Sequence, residues 1–118
     1  MILSDELKQA AEALGESLRA TEPVSTYLQA QTRLQEDAEA SALENRLTRL
    51  YQDLLARQQA GELLPQAEVN EFYALRDQVS SHPVVAERDA ALDQLKSYLA
   101  DIAAELSEPL GMDYTALV

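Results

Sequence analysis

Residues 21–61 read TEPVSTYLQAQTRLQEDAEASALENRLTRLYQDLLARQQAG, and they decide the fold. Thr21-Glu22-Pro23 opens a helix, because proline in the first turn lacks an N–H that the helix leaves unbonded anyway. From Val24 to Ala60 there is neither glycine nor proline, and Gly61 fits as the C-terminal stop. Tyr27, Leu28, Leu34, Ala38 and Ala42 mark one apolar stripe. Leu43, Leu47, Leu50 and Leu54, with Tyr51 and Leu55 beside them, mark a stronger one. The stripe shifts near Ala42, so the two halves are expected to pack against different surfaces. Glu36 to Ser41 contains none of the usual causes of a kink. The spacing therefore predicts one long helix over about 23–60.

At 1.5 Å per residue such a helix is roughly 55 Å long. A compact globule of this chain length is only roughly 35 Å across. The helix is therefore expected to project and to keep its stripe dry against something else. Self-association does this most simply, so a homo-oligomer, a dimer or higher, is expected.

Three more helices flank it. The first is expected over about 5–20, with Ser4 as N-cap and Asp5 and Glu6 placed well against the helix dipole. Leu7, Ala11, Leu14 and Leu18 form its stripe. Gly15 inside it is either a tolerated weakness or the mark of a close helix crossing. Pro65 and Ser80-Ser81 bracket a helix over about 66–80, with Val69, Phe72, Tyr73 and Val79 on one face. Pro83 starts a last helix over about 83–108, capped by Ser81 or His82. Val85, Leu92, Leu95, Leu99, Ile102 and Leu106 give it the cleanest stripe in the chain, which is expected to be core. Pro109 and Gly111 are expected to end it, leaving a tail over 109–118 with Met112, Tyr114, Leu117 and Val118. No segment alternates as a strand does. The expected fold class is all-α: four helices in antiparallel arrangement, one of them long and projecting, in a single helical domain over 1–118 that assembles as an oligomer.

Composition agrees and narrows the function. Of 118 residues, 47% are hydrophobic and only 5% aromatic, with three glycines and four prolines. That suits a folded, helix-rich chain and not a disordered one. There is no cysteine, which excludes thiolate metal sites and catalytic thiols. A net charge of −12 argues against direct contact with nucleic acid or anionic lipid. No stretch is long and apolar enough to span a membrane, and the start lacks a signal layout, so a cytoplasmic protein is expected.

Chemistry is hard to place. Glu36, Asp37 and Glu39 lack the Glu-x-x-His companions of a di-metal bundle, since Val79 stands three before His82. They read as a solvated acidic face, with Arg33 reaching Asp37 at i+4. His82, the single histidine, lies in Ser-Ser-His-Pro, a turn that caps the next helix. No glycine-rich phosphate loop occurs. No catalytic residue, cofactor or metal is expected. Two features stand out as candidate partner contacts. Arg88 breaks the apolar stripe of the last helix, either snorkelling at its rim or pairing with an acid of another helix or subunit. Asp101, Glu105 and Glu108 crowd the same helix's C-terminal turns, where the dipole disfavours negative charge. They are either unselected or a contact patch for a basic partner.

Arg33-Leu34-Gln35-Glu36-Asp37-Ala38-Glu39-Ala40, the His82-Pro83-Val84-Val85 helix opening with its Leu92/Leu95/Leu99/Ile102 stripe, and Leu110-Gly111-Met112-Asp113 together resemble the YlbF/YmcA family of small helical bacterial proteins. The similarity runs through essentially the whole chain. It implies an all-helical oligomer without catalytic residues of its own. It also implies an adaptor that joins related helical subunits and a third protein in competence, sporulation and biofilm development, and that assists an endoribonuclease in RNA maturation. Some members of that complex are linked to iron–sulfur clusters. A chain with no cysteine does not carry that role over.

Three functional readings follow. The leading one is a non-enzymatic, protein-binding adaptor or regulatory subunit. The alternative is an acidic decoy, antitoxin-like, that occupies a basic nucleic-acid-binding site. The third is an enzyme built on an unrecognised carboxylate site.

Overall fold

The computed structural model describes residues 2–117, and the side chains of 2–115. Met1, Val118 and the side chain of Leu117, which the expected domain and tail include, lie outside them. All regular structure among the described residues is helical: α1 (Asp5–Arg19), α2 (Glu22–Glu36), α3 (Ala38–Gln59), α4 (Gln66–Ser81) and α5 (Pro83–Leu110), then a 3-10 turn at Tyr114–Leu117. The chain divides into unit 1, Met1–Gln29 with Ala90–Val118, and unit 2, Ala30–Asp89.

Among the described residues there are five α-helices and not four, because the expected helix over 23–60 breaks at Asp37. This residue leaves the helical region at φ −85° and ψ 109°. Its carboxylate Oδ1 accepts the Ala40 N–H at 2.9 Å, an N-cap for α3. Packing explains why a break occurs without proline or glycine. Leu34 and Ala40 are 3% and 0% exposed and share one cluster with Leu75, Val79 and Val85. In an unbroken helix, residues six apart point about 120° from each other, so both could not face that cluster. Arg33 accordingly does not reach Asp37; it pairs with Glu87 of α5. With α2 and α3 about 22 and 33 Å long, the argument for a projecting helix falls.

The other ends follow their residues. Ser4 Oγ accepts the Leu7 N–H and caps α1. Pro23 sits in the first turn of α2. Gly61 and Gly111 have φ of +83° and +73°, a region that penalises a Cβ. At each, two bonds close a Schellman turn: Glu62 N–H to Arg57 O and Gly61 N–H to Gln58 O, then Met112 N–H to Ser107 O and Gly111 N–H to Glu108 O. The second turn sets the end of α5 at Leu110. Pro109 therefore lies inside the last turn and does not stop the helix two residues earlier, as expected from sequence.

Unit 2 holds the clustered core. Leu43, Leu47, Leu50 and Val84 pack around its five buried side chains, each leucine or valine worth about 1.5–3 kcal/mol when fully buried. Unit 1 differs. α1 has no buried residue; Leu7 and Leu14 are 57% and 46% exposed. On α5, Leu99 and Leu106 are 42% and 43% exposed, so the clean stripe is not core along its length. A Cβ placed on Gly15 meets nothing within 4 Å, so no close crossing uses it among the described residues.

Candidate functional site

His82 bridges α4 and α5. Its backbone is extended, with φ −64° and ψ 129°, and its Nδ1 accepts the Val84 N–H at 3.3 Å. Pro83 then occupies the first helical position, where its missing N–H does no harm. The capping group is thus His82 and not Ser81, whose hydroxyl donates back to the Asp77 carbonyl at 2.7 Å. His82 Nε2 also stands 3.9 Å from Glu39 Oε1. These contacts hold a turn.

Arg88, in unit 2, is tied down within the chain. Its guanidinium donates to Glu44 of α3 at 2.5 Å, to Asp89 at 2.9 Å and to Gln31 of α2 at 3.3 Å. Its side chain is only 16% exposed. Burial works against its charge, but the hydrogen bonds it donates to Glu44 and Asp89 outweigh it and raise the pKa above the usual arginine value. Of the two sequence readings, the ion pair with another helix describes this geometry.

Asp101, Glu105 and Glu108 lie in unit 1. All three are exposed. Their spacing of four and three sets them along one face of α5. Ser107, between them, anchors the following turn: its Oγ accepts the Tyr114 N–H at 2.9 Å and donates to the Ala103 carbonyl.

Two features of unit 2 escape a sequence reading. Arg57 closes the α3–α4 connection by pairing with Glu68 at 2.7 Å and with Glu62 at 3.1 Å. Hydrogen bonds that it donates to Glu68 and then Glu62 hold its pKa above the ordinary arginine value. The Gly61 turn brings Glu62 back, which spacing alone does not reveal. The second is an aromatic groove between α3 and α4. Tyr51 and Phe72 rings lie 6.0 Å apart and Phe72 and Tyr73 5.6 Å apart. Arg76 stacks over Tyr73 at 4.7 Å. Two adjoining hollows, of about 270 and 490 Å³, share Tyr51, Leu55 and Phe72 in their walls. The signals were present: Tyr51 and Leu55 are four apart beside the main α3 stripe, and Tyr73 and Arg76 are three apart.

Among the described residues, no three His, Cys, Asp or Glu side chains group to hold a metal ion. No helix there is long and apolar enough to cross a membrane. What the geometry offers is surface: an acidic face, exposed leucines and an aromatic groove.

Known proteins place this surface in a family. A curated UPF0342 protein of Lactobacillus acidophilus is 28% identical over 108 residues, covering 92% of this chain and 93% of the relative. A family model described as control of competence regulator ComK, YlbF/YmcA, matches residues 7–111. The chain belongs to the YlbF/YmcA family.

Proposed function

We propose that the protein is a non-enzymatic, cytoplasmic adaptor or regulatory subunit. It self-associates and binds protein partners, among them related helical subunits, in assisting an endoribonuclease or developmental regulation. One observation carries this reading. α1 and the distal part of α5 leave Leu7, Leu14, Leu99 and Leu106 between 42% and 57% exposed at helical spacing. Leucines repeated along a helix face are seldom left to water unless a second helix covers them. The family's link to competence control supports a regulatory role over a catalytic one. Residues 1–118 act as one domain in this reading, and the exposed Asp101/Glu105/Glu108 face of α5 meets a basic partner. Arg88 contributes by fixing α5 against α3.

The test is a parallel capture from the native cell's cytoplasm with three tagged forms: wild type, His82→Asn, and the triple variant Asp101→Gln, Glu105→Gln, Glu108→Gln. His82→Asn should retain the same partners, since asparagine also caps a helix. The triple variant should capture less of a basic partner. Loss of function in His82→Asn alone would replace this reading with a site-based one.

A further inference from the structure

We infer that His82 is a pH-operated latch in unit 2. Its neutral imidazole caps α5; protonation ends that cap and pairs the ring with Glu39 of α3.

The two ring nitrogens hold incompatible contacts. Nδ1 accepts the Val84 N–H at 3.3 Å, so it carries a lone pair and no proton. The neutral ring then has its proton on Nε2, which stands 3.9 Å from Glu39 Oε1. Pro83 has no N–H, so Val84 supplies the first unbonded donor of α5, and the His82 ring is its acceptor. A proton taken from solvent onto Nδ1 sets two N–H groups face to face. The Val84 N–H then loses its acceptor and turns to water. The imidazolium is also a cation at the start of α5, where the helix dipole disfavours it.

Glu39 is placed to receive it. Its carboxylate lies in the first turn of α3, where the dipole favours negative charge. The 3.9 Å gap is about 1 Å longer than an ordinary N–H···O bond. The glutamate side chain is 79% exposed, so it has room to close that gap once the ring is charged.

The other charges around the joint are engaged or turned to water. On α2, Arg33 pairs with Glu87 of α5, and Glu36 is exposed. At the start of α3, Asp37 accepts the Ala40 N–H. On α4, Asp77 lies beside Arg76. On α5, Arg88 is bound to Glu44 and Asp89. Among the described residues, Glu39 is the one carboxylate within 4 Å of a His82 ring nitrogen.

The latch sits where movement reaches the core. Val85, next to the capped residue, is 1% exposed and shares a cluster with Ala40, next to Glu39. Histidine ordinarily changes charge between about pH 5 and 8, so mild acid exchanges a bond within the α4–α5 joint for one to α3. One contact replaces another, so the Val84 N–H reports the exchange and the melting temperature does not.

Amide exchange of the full chain, followed by NMR from pH 5 to 8, tests this in wild type, His82→Asn and Glu39→Gln. Ala86 is the internal reference, because its N–H bonds the His82 carbonyl and not the ring. In wild type, protection of Val84 relative to Ala86 should fall about fivefold as the ring titrates, as expected for one N-cap bond. The ratio should stay constant in His82→Asn, which caps without titrating. In Glu39→Gln the fall should come at lower pH, because an amide does not stabilise the imidazolium. Ring nitrogen shifts should place the neutral proton on Nε2. A constant ratio in wild type, a neutral ring protonated at Nδ1, or the same fall in His82→Asn would overturn the latch. A Glu39→Gln response at the wild-type pH would overturn the exchange to α3.

Discussion

Replacing Asp37 by alanine removes one hydrogen bond, from the Ala40 N–H to Oδ1 at 2.9 Å, at the junction of α2 and α3. Loss of an N-cap of this kind costs about 1 kcal/mol. Alanine also has the higher helix propensity, and a continuous helix through residue 37 would recover up to about 0.7 kcal/mol. That helix would turn Leu34 and Ala40 about 120° apart and expel one of them from the cluster with Leu75, Val79 and Val85. Expelling Leu34 forfeits about 1.5–3 kcal/mol, so the break persists. The variant should therefore lose about 1 kcal/mol, roughly 4 °C in melting temperature for a chain of this size, with no gain in helix content. Asp37→Asn, which keeps an accepting oxygen, should stay within a few tenths of a kcal/mol of wild type. Urea melts and far-UV circular dichroism of the three proteins decide. An alanine variant as stable as wild type and more helical would refute the claim that core packing sets the break.

Leu75→Ala, at a site 5% exposed, should cost about 2–5 kcal/mol, while Leu99→Ala, 42% exposed, should cost under about 1 kcal/mol in urea melts at low protein concentration. His82→Asn should change stability by less than about 0.5 kcal/mol, measured the same way, because asparagine can accept the Val84 N–H in place of Nδ1. The Asp101→Gln/Glu105→Gln/Glu108→Gln variant should melt no lower than wild type. It removes like charges four and three apart near the C-terminal end of α5.

The helices were legible in the residues because their ends carry local signals. Ser4, Pro23, Gly61 and Pro83 each act through a cap or turn that needs only near neighbours. The break at Asp37 was not legible as a break, although the stripe's shift near Ala42 was its trace. Aspartate is an ordinary helix-surface residue until tertiary packing asks Leu34 and Ala40 to face one cluster. Pro109 reads as the stop of α5 by its missing N–H, but the local bonds around Gly111 set the end two residues later. Periodicity identified the apolar face of α5 correctly and its burial incorrectly, since Leu99 and Leu106 stay exposed in the chain. A stripe records that a face avoids water, not which molecule covers it. Among the site candidates, the spacing of Asp101, Glu105 and Glu108 sufficed to put them on one face. The partners of Arg88 on other helices lie 44 and 57 residues away in sequence, beyond any local pattern, as is the pairing of Tyr51 on α3 with Phe72 on α4.

The central claim is that this chain works through helix faces that another subunit covers. Sedimentation equilibrium of wild type and of a Leu7→Lys/Leu14→Lys variant, at micromolar concentration, tests it most directly. Wild type should give at least twice the 13.0 kDa chain mass, and the lysine variant should shift toward the monomer while keeping its helix content. A wild-type protein that sediments as a monomer with no concentration dependence, indistinguishable from the lysine variant, would contradict the account.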